Sequence, residues 1–321
     1  MDTTDFPRLL GDIGGTNARF AWQAVRGAPL TDVATYPAAG HETLLHAMQH
    51  YLAEHPGFAP KQCAIGIANP IVGDHVRMTN HHWEFSISAM QEALGLQRFL
   101  VINDFTALAL SLPSLDAADL RAVGGGQAVL NAPIGLLGPG TGLGVSGLLP
   151  AIGGRSAIPI NGEGGHVTLA PVNDLEEQVV RILRQQFGHP SAERALSGSG
   201  LVNLFNALCE IDGVTARPIT PAELTAQAET DPQCRAAIDL FFSLLGNVAG
   251  NLALSLGARG GMYIGGGIVP RLGDRIDRSA LRERFEDKGR FRGYLQAIPI
   301  WVVNARMSPA LIGAARALDD L

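Results

Sequence analysis

The chain has 321 residues, of which 46% are hydrophobic and 17% charged, with a formal net charge of −6. This length suits one bilobal unit or two domains around a substantial core, and the composition excludes membrane and collagen-like classes. The acidic balance gives no electrostatic reason to bind nucleic acid or anionic lipid, so a small neutral or polar substrate is the natural partner.

The first stretch, MDTTDFPRLL, lacks the basic, apolar and small-residue segments of a secretory signal, so a cytosolic protein is expected. Residues 8–13 form an apolar run interrupted by Asp12. Gly14, Gly15, Thr16 and Asn17 follow, then a second apolar run over 18–24, so the pattern reads as strand, glycine turn, strand. A helix is expected over 41–54, a strand over 63–68, a helix over 87–95, a strand over 99–102 and a helix over 105–112. The stretch SLPSLDAADLRAVGGGQAVLNAP (111–133) has linker composition and marks a lobe boundary. Strands are expected at 134–137 and 143–149, with Thr141 and Gly142 in the turn between them, which repeats the first hairpin in form though not closely in sequence.

Helices are expected over 174–187, 200–210, 221–228 and 233–257. Residues 240–258 are uncharged and long enough to cross a bilayer. Asn247, Asn251, Gly246 and Gly250 interrupt them, so a buried helix with a close neighbour is the better reading. A short strand at 262–264 precedes Gly265, Gly266 and Gly267. The last helix, 308–318, has Ser308 placed to cap it and Pro309 in its first turn. The three cysteines, Cys63, Cys209 and Cys234, form no CxxC pair or zinc-like cluster and read as reduced. Helices alternating with strands indicate the α/β class.

The glycine clusters carry the first chemical hint. GLGVSG (142–147) matches G-x-G-x-x-G, but no helix follows it, so a dinucleotide fingerprint is refused, and no Walker A motif occurs. Hairpin N–H groups converging around glycines attract phosphate, and Asp12 at a strand end can hold waters of a Mg²⁺ ion. Gly265–Gly267 leave room for an adenine ring or its ribose. Ordinary hairpin turns and a helix start remain open alternatives. Asn103 and Asp104 stand between an apolar strand and a helix, where a helix cap and a catalytic pair are both open. Glu163 and His166 have E-x-x-H spacing, but Gly164 and Gly165 oppose a helix there, which favours hydrogen bonding to a polyol from a loop over metal binding; a solvated loop is the alternative. Glu193 after Ser191 reads as a first-turn acid.

Taken together, GDIGGTNARFA (11–21), ANPIVGDHVRMTNHHWEF (68–85), INDFTALAL (102–110), GPGTGLGVS (138–146), NGEGGHV (161–167), SAERALSGSGL (191–201), YIGGGIVPR (263–271) and FEDKGRF (285–291) resemble the bacterial glucokinase family over nearly the full length. The resemblance implies two ribonuclease-H-like, actin-like ATPase lobes with an active-site cleft between them. The small lobe would be 1–114 with 307–321, and the large lobe 115–306. It implies ATP-dependent phosphorylation of the 6-hydroxyl of glucose with Mg²⁺, in a homodimer. Asp104 then matches the general base, and Asn103, Glu163, His166, Glu193 and Asn80 match sugar ligands. Gly14, Gly15, Thr16, Asn17, Thr141 and Gly142 match the phosphate loops, and Gly265, Gly266 and Gly267 the nucleoside side. His81 and His82 are expected to be packing or surface residues. The zinc motif of the related ROK sugar kinases is missing. A kinase of another hexose, such as mannose or fructose, and a non-catalytic sugar or nucleotide sensor are the alternatives.

Overall fold

The computed structural model describes residues 5–320. Contacts divide the chain into two compact units, one holding the residues up to Asp116, Ala151–Asn161 and those from Ala305 onward, the other Ala117–Pro150 and Gly162–Asn304. The first unit opens with β1 (Arg8–Ile13), β2 (Asn17–Gln23), β3 (Thr31–Pro37), α1 (Leu44–Glu54), β4 (Gln62–Ile67), β5 (His75–Arg77), β6 (Glu84–Ser86), α2 (Ile87–Ala93), β7 (Arg98–Asn103) and α3 (Asp104–Ser111). The chain leaves for β8 (Leu120–Val123), β9 (Ile134–Pro139) and β10 (Leu143–Leu149), and returns with β11 (Ile158–Asn161). It leaves again for α4 (Asp174–Phe187), α5 (Gly198–Ile211), α6 (Pro221–Gln227), α7 (Pro232–Leu256), β12 (Met262–Ile264), α8 (Ile268–Leu272), α9 (Leu281–Glu286), α10 (Arg292–Gln296) and β13 (Ile300–Val303). Finally α11 (Pro309–Asp320) closes the first unit.

In the first unit the strand order is β3-β2-β1-β4-β7. β1 and β2 form an antiparallel hairpin, and β4 and β7 continue in parallel to β1. Helices cover both faces, which is why β4 is buried throughout and β1 everywhere except at Asp12, rather than alternating between buried and exposed residues. Leu9 and Ile13 point into one buried cluster with α1, while Leu10 points into another with Leu311, Ala314 and Leu318 of α11. Because side chains alternate along a strand, Asp12 shares the α11 face with Leu10.

Glycines let α3 and α11 come close. A Cβ on Gly66 would meet Ala107 at 3.0 Å, and one on Gly313 would lie 1.7 Å from the Ala107 carbonyl oxygen. The helix beginning at Asp104 is therefore held against both β4 and α11. Segment 151–161, which the composition-based boundary leaves in the large lobe, belongs instead to the first unit. There β11 packs on α3 and Thr106 Oγ1 donates to Asn161 Oδ1 at 2.8 Å.

The second unit repeats the plan. Its own strands run β10-β9-β12-β13-β8, with an antiparallel β9–β10 hairpin followed by parallel β12 and β13. The stretch 111–133 is not linker throughout, since Leu120–Val123 pairs antiparallel with β13. Helix α7 has the length and hydropathy of a membrane span but is a core helix, 67% of its most apolar window being buried. Its small residues do admit a neighbour's backbone: Cβ atoms on Gly246 and Gly250 would lie 2.2 and 2.6 Å from the carbonyl oxygens of Leu281 and Phe285 in α9. All three cysteines are buried and free.

Candidate active site

In the first unit the strand ends of β1 and β7 bring two carboxylates into each other's field. Asn103 is the N-cap of α3, its Oδ1 accepting from the N–H groups of Phe105 (2.9 Å) and Thr106 (3.2 Å). Asp104 is the first helical residue, so the cap role open to it falls to Asn103. Asp104 Oδ1 accepts from the Phe105 N–H at 2.9 Å and from Asn103 Nδ2 at 3.1 Å. Burial pushes its carboxyl up to about 6, against the lowering effect of the Phe105 N–H, with the nearby Asp12 charge adding to the rise. A helix N-terminus by itself favours the ionised form and weakens a base. Desolvation outweighs it here, so basicity as well as positioning is tuned.

Asp12 accepts from Arg19 (3.0 Å) and Ser308 (2.7 Å), both on Oδ2. The adjoining turn is closed by the Gly14 N–H on the Asn17 carbonyl at 2.9 Å, and Thr16 is exposed at its tip. Gly15 is required by a close approach to protein: a Cβ there would meet the Asn80 carbonyl oxygen at 3.0 Å. Asn80 thus backs the turn, and its own segment is fastened by Asn69, whose Oδ1 accepts from Thr79 N (3.1 Å) and Oγ1 (2.8 Å). His81 packs edge-on against Trp83, and His82 Nε2 lies 3.1 Å from the Glu42 carbonyl oxygen.

A Mg²⁺ ion on a nucleotide keeps several waters and takes one or two carboxylates plus phosphate oxygens. Asp12, with its protein partners on one oxygen, fits that mode. No cluster of three or more His, Cys, Asp or Glu able to hold a metal occurs among the described residues, so a protein cage is not the mode offered.

In the second unit the β9–β10 turn, the Glu163 loop and Glu193 come together. Glu193 Oε2 accepts from the Leu143 N–H at 2.9 Å, directly beside the turn of Thr141 and Gly142. A Cβ on Gly142 would lie 2.4 Å from that same oxygen, and the residue does not have a positive φ. Its glycine identity is therefore explained by Glu193 rather than by a left-handed backbone. Gly164–His166 form a single 3₁₀ turn where the sequence suggested a loop, with Glu163 at its N-cap position and both Glu163 and His166 exposed. The glycines serve packing, since Cβ atoms on Gly164 and Gly165 would strike Val145 (2.7 Å) and the Leu143 carbonyl oxygen (2.1 Å) of β10.

At the end of β12, Gly265 donates its N–H to the Leu137 carbonyl at 2.8 Å, and Gly266 has φ +76°, where a Cβ would lie 2.3 Å from the Pro139 carbonyl oxygen. Gly267 is the N-cap of α8, so this cluster is a helix start, with Gly266 and Gly267 exposed.

The sequence model of the glucokinase family matches residues 9–321. The chain is 52% identical to the glucokinase of Aromatoleum aromaticum, across 98% of this chain and 95% of that one. It is 51% identical to that of Chromobacterium violaceum, across 98% and 90%. The chain belongs to the glucokinase family.

The solved glucokinase of an Antarctic psychrotroph superposes with a TM-score of 0.90 at 37% identity, covering 98% of this chain and 99% of that one. The two units are accordingly the ribonuclease-H-like units of the actin-like ATPase fold. For this member of the glucokinase family, sequence reasoning passed over Arg19, Asn69, Thr79 and the Thr106–Asn161 pair. Each is an ordinary residue whose role comes from a partner distant in sequence or on a neighbouring strand. The FEDKGRF motif is structural here: Phe285 is buried, and Lys288 Nζ donates to Asn247 Oδ1 in α7.

Proposed function

We infer that the protein transfers the γ-phosphoryl group of ATP to the 6-hydroxyl of glucose, giving glucose 6-phosphate and ADP. The observation that carries this reading is Asp104, a carboxylate whose proton affinity is raised by burial at the start of a helix, in a chain of the glucokinase family. Phosphoryl transfer passes through a loose transition state, so positioning and late proton acceptance are what the protein supplies. Asp104 orients the 6-hydroxyl and accepts its proton. Asn103 holds Asp104, and the second hydrogen of its Nδ2, which makes only a 3.5 Å contact with the Asn69 carbonyl oxygen, is available to a sugar hydroxyl.

Glu163, His166 and Glu193 bind further hydroxyls, with Glu193 Oε1 free of the Leu143 bond that occupies Oε2. Asn80 contributes from the segment behind the first turn. The turns of Gly14, Gly15, Thr16 and Asn17 and of Thr141 and Gly142 offer main-chain N–H groups to phosphate oxygens, the Gly14 N–H itself being kept for the Asn17 carbonyl, and the exposed Gly266 and Gly267 face the nucleoside. Mg²⁺ when bound neutralises charge on the β- and γ-phosphate oxygens, and Asp12 would hold it through water. The same reading makes the protein a cytosolic homodimer, which light scattering on the purified chain tests. A coupled assay scanning hexoses and nucleotide donors tests the activity. Faster turnover of mannose or fructose replaces glucose as substrate, and no turnover of any hexose removes the kinase reading.

A further inference from the structure

Ser308 stands where a helix cap is expected, yet its hydroxyl is spent elsewhere. It donates to Asp12 Oδ2 at 2.7 Å, while the Leu311 N–H turns to the Ser308 carbonyl at 3.1 Å. Arg19 Nη1 donates to the same carboxylate oxygen at 3.0 Å. These two donors differ in what they can hold. The Arg19 side chain is 41% exposed at the end of a long flexible stem. Ser308 has a short side chain at the foot of α11, and that helix is fixed by the Gly313–Ala107 approach and by the buried Arg8, which reaches Asp319 at 2.9 Å.

We propose that Ser308, together with Arg19, is a positioning residue for Asp12: the two donors hold Oδ2, and Oδ1 is thereby kept for a water of the nucleotide-bound magnesium ion. The proposal rests on the role given to Asp12 above. Mg²⁺ demands near-ideal octahedral geometry, so a carboxylate free to rotate loses affinity for the metal-bound nucleotide. Affinity for the metal-free nucleotide has no reason to change. A merely capping Ser308 would change stability and leave the metal dependence of nucleotide binding untouched.

Calorimetric titration of the full chain with ATP, once in Mg²⁺ and once in EDTA, separates these roles without turnover. Ser308→Ala is expected to reduce the tightening that Mg²⁺ confers on ATP binding by on the order of tenfold, as for loss of a hydrogen bond to a charged group. The EDTA titration and glucose binding should stay at their wild-type values. Ser308→Thr keeps the hydroxyl in a backbone conformation suited to the position before proline, and restores the tightening. Arg19→Gln lowers it in the same titration and carries the test if Ser308→Ala does not fold. Wild-type tightening in both Ser308→Ala and Arg19→Gln overturns the proposal. So does an equal loss in the Mg²⁺ and EDTA titrations of Ser308→Ala. Asp12→Asn should abolish the tightening; if it does not, the assignment of Asp12 to the metal fails, a result distinct from wild-type behaviour of the Ser308 variants alone.

Discussion

Asp104→Asn removes the proton acceptor while preserving nearly everything else the residue does. Its oxygen still accepts the Phe105 N–H and the Asn103 amide, and the cap of α3 is untouched because Asn103 supplies it. A general base contributes about 10² to 10⁴-fold, so kcat should fall by that factor while glucose binding persists. The structure adds a sign for stability. A carboxyl raised from 3.8 to about 6 is one whose ionisation the fold disfavours. The rise corresponds to at most roughly 3 kcal/mol, and about 1–2 kcal/mol is expected because Asp104 is not fully enclosed.

That cost is fully present above about pH 6 and absent below the unfolded value near 4. Asp104→Asn should therefore melt higher than the wild type at pH 8, and the gap should close as the pH falls from about 6 to below 4. In the wild type, kcat/KM should fall on the acid side of about pH 6 as Asp104 takes up its proton, a limb missing from the variant. Coupled kinetics, glucose calorimetry and thermal melts at several pH values on one preparation measure all of this. Near-normal kcat would refute the catalytic role, and a variant less stable than the wild type at pH 8 would refute the argument from desolvation.

Four further substitutions probe the surroundings. Gly142→Ala pushes a methyl group onto Glu193 and breaks its bond to the Leu143 N–H; it should raise the KM for glucose as well as for ATP, whereas an effect on ATP alone would separate Glu193 from the sugar. Glu163→Gln and His166→Ala should each weaken glucose by about 1–3 kcal/mol in calorimetry and leave ATP affinity unchanged. Gly313→Ala overpacks α11 against α3, because the new Cβ would lie 1.7 Å from the Ala107 carbonyl oxygen. Urea unfolding should show a loss of about 1–3 kcal/mol, and a loss of kcat with it would show that the seat of Asp104 has moved.

The elements visible in the sequence are those whose environment is uniform along the segment. β1 and β12 are buried strands and β10 is buried over most of its length, all three with the limits expected for them, and α4 carries an apolar stripe over the expected residues 174–187. β3, with most of its residues exposed, has no apolar signal, and β8 was hidden in a stretch of turn-forming composition; both exist because a neighbouring strand pairs with them. Local chemistry likewise marked Asp12, Asp104, Glu163 and Glu193, since a carboxylate beside glycines or at a strand end stands out in any window. Which of two neighbours caps α3, which oxygen of Asp12 is held, and why Gly15, Gly142 and Gly164 lack side chains were decided only by tertiary structure. Each depends on a partner on another element, and burial sets the proton affinity of Asp104 through a desolvation that no short stretch of sequence contains.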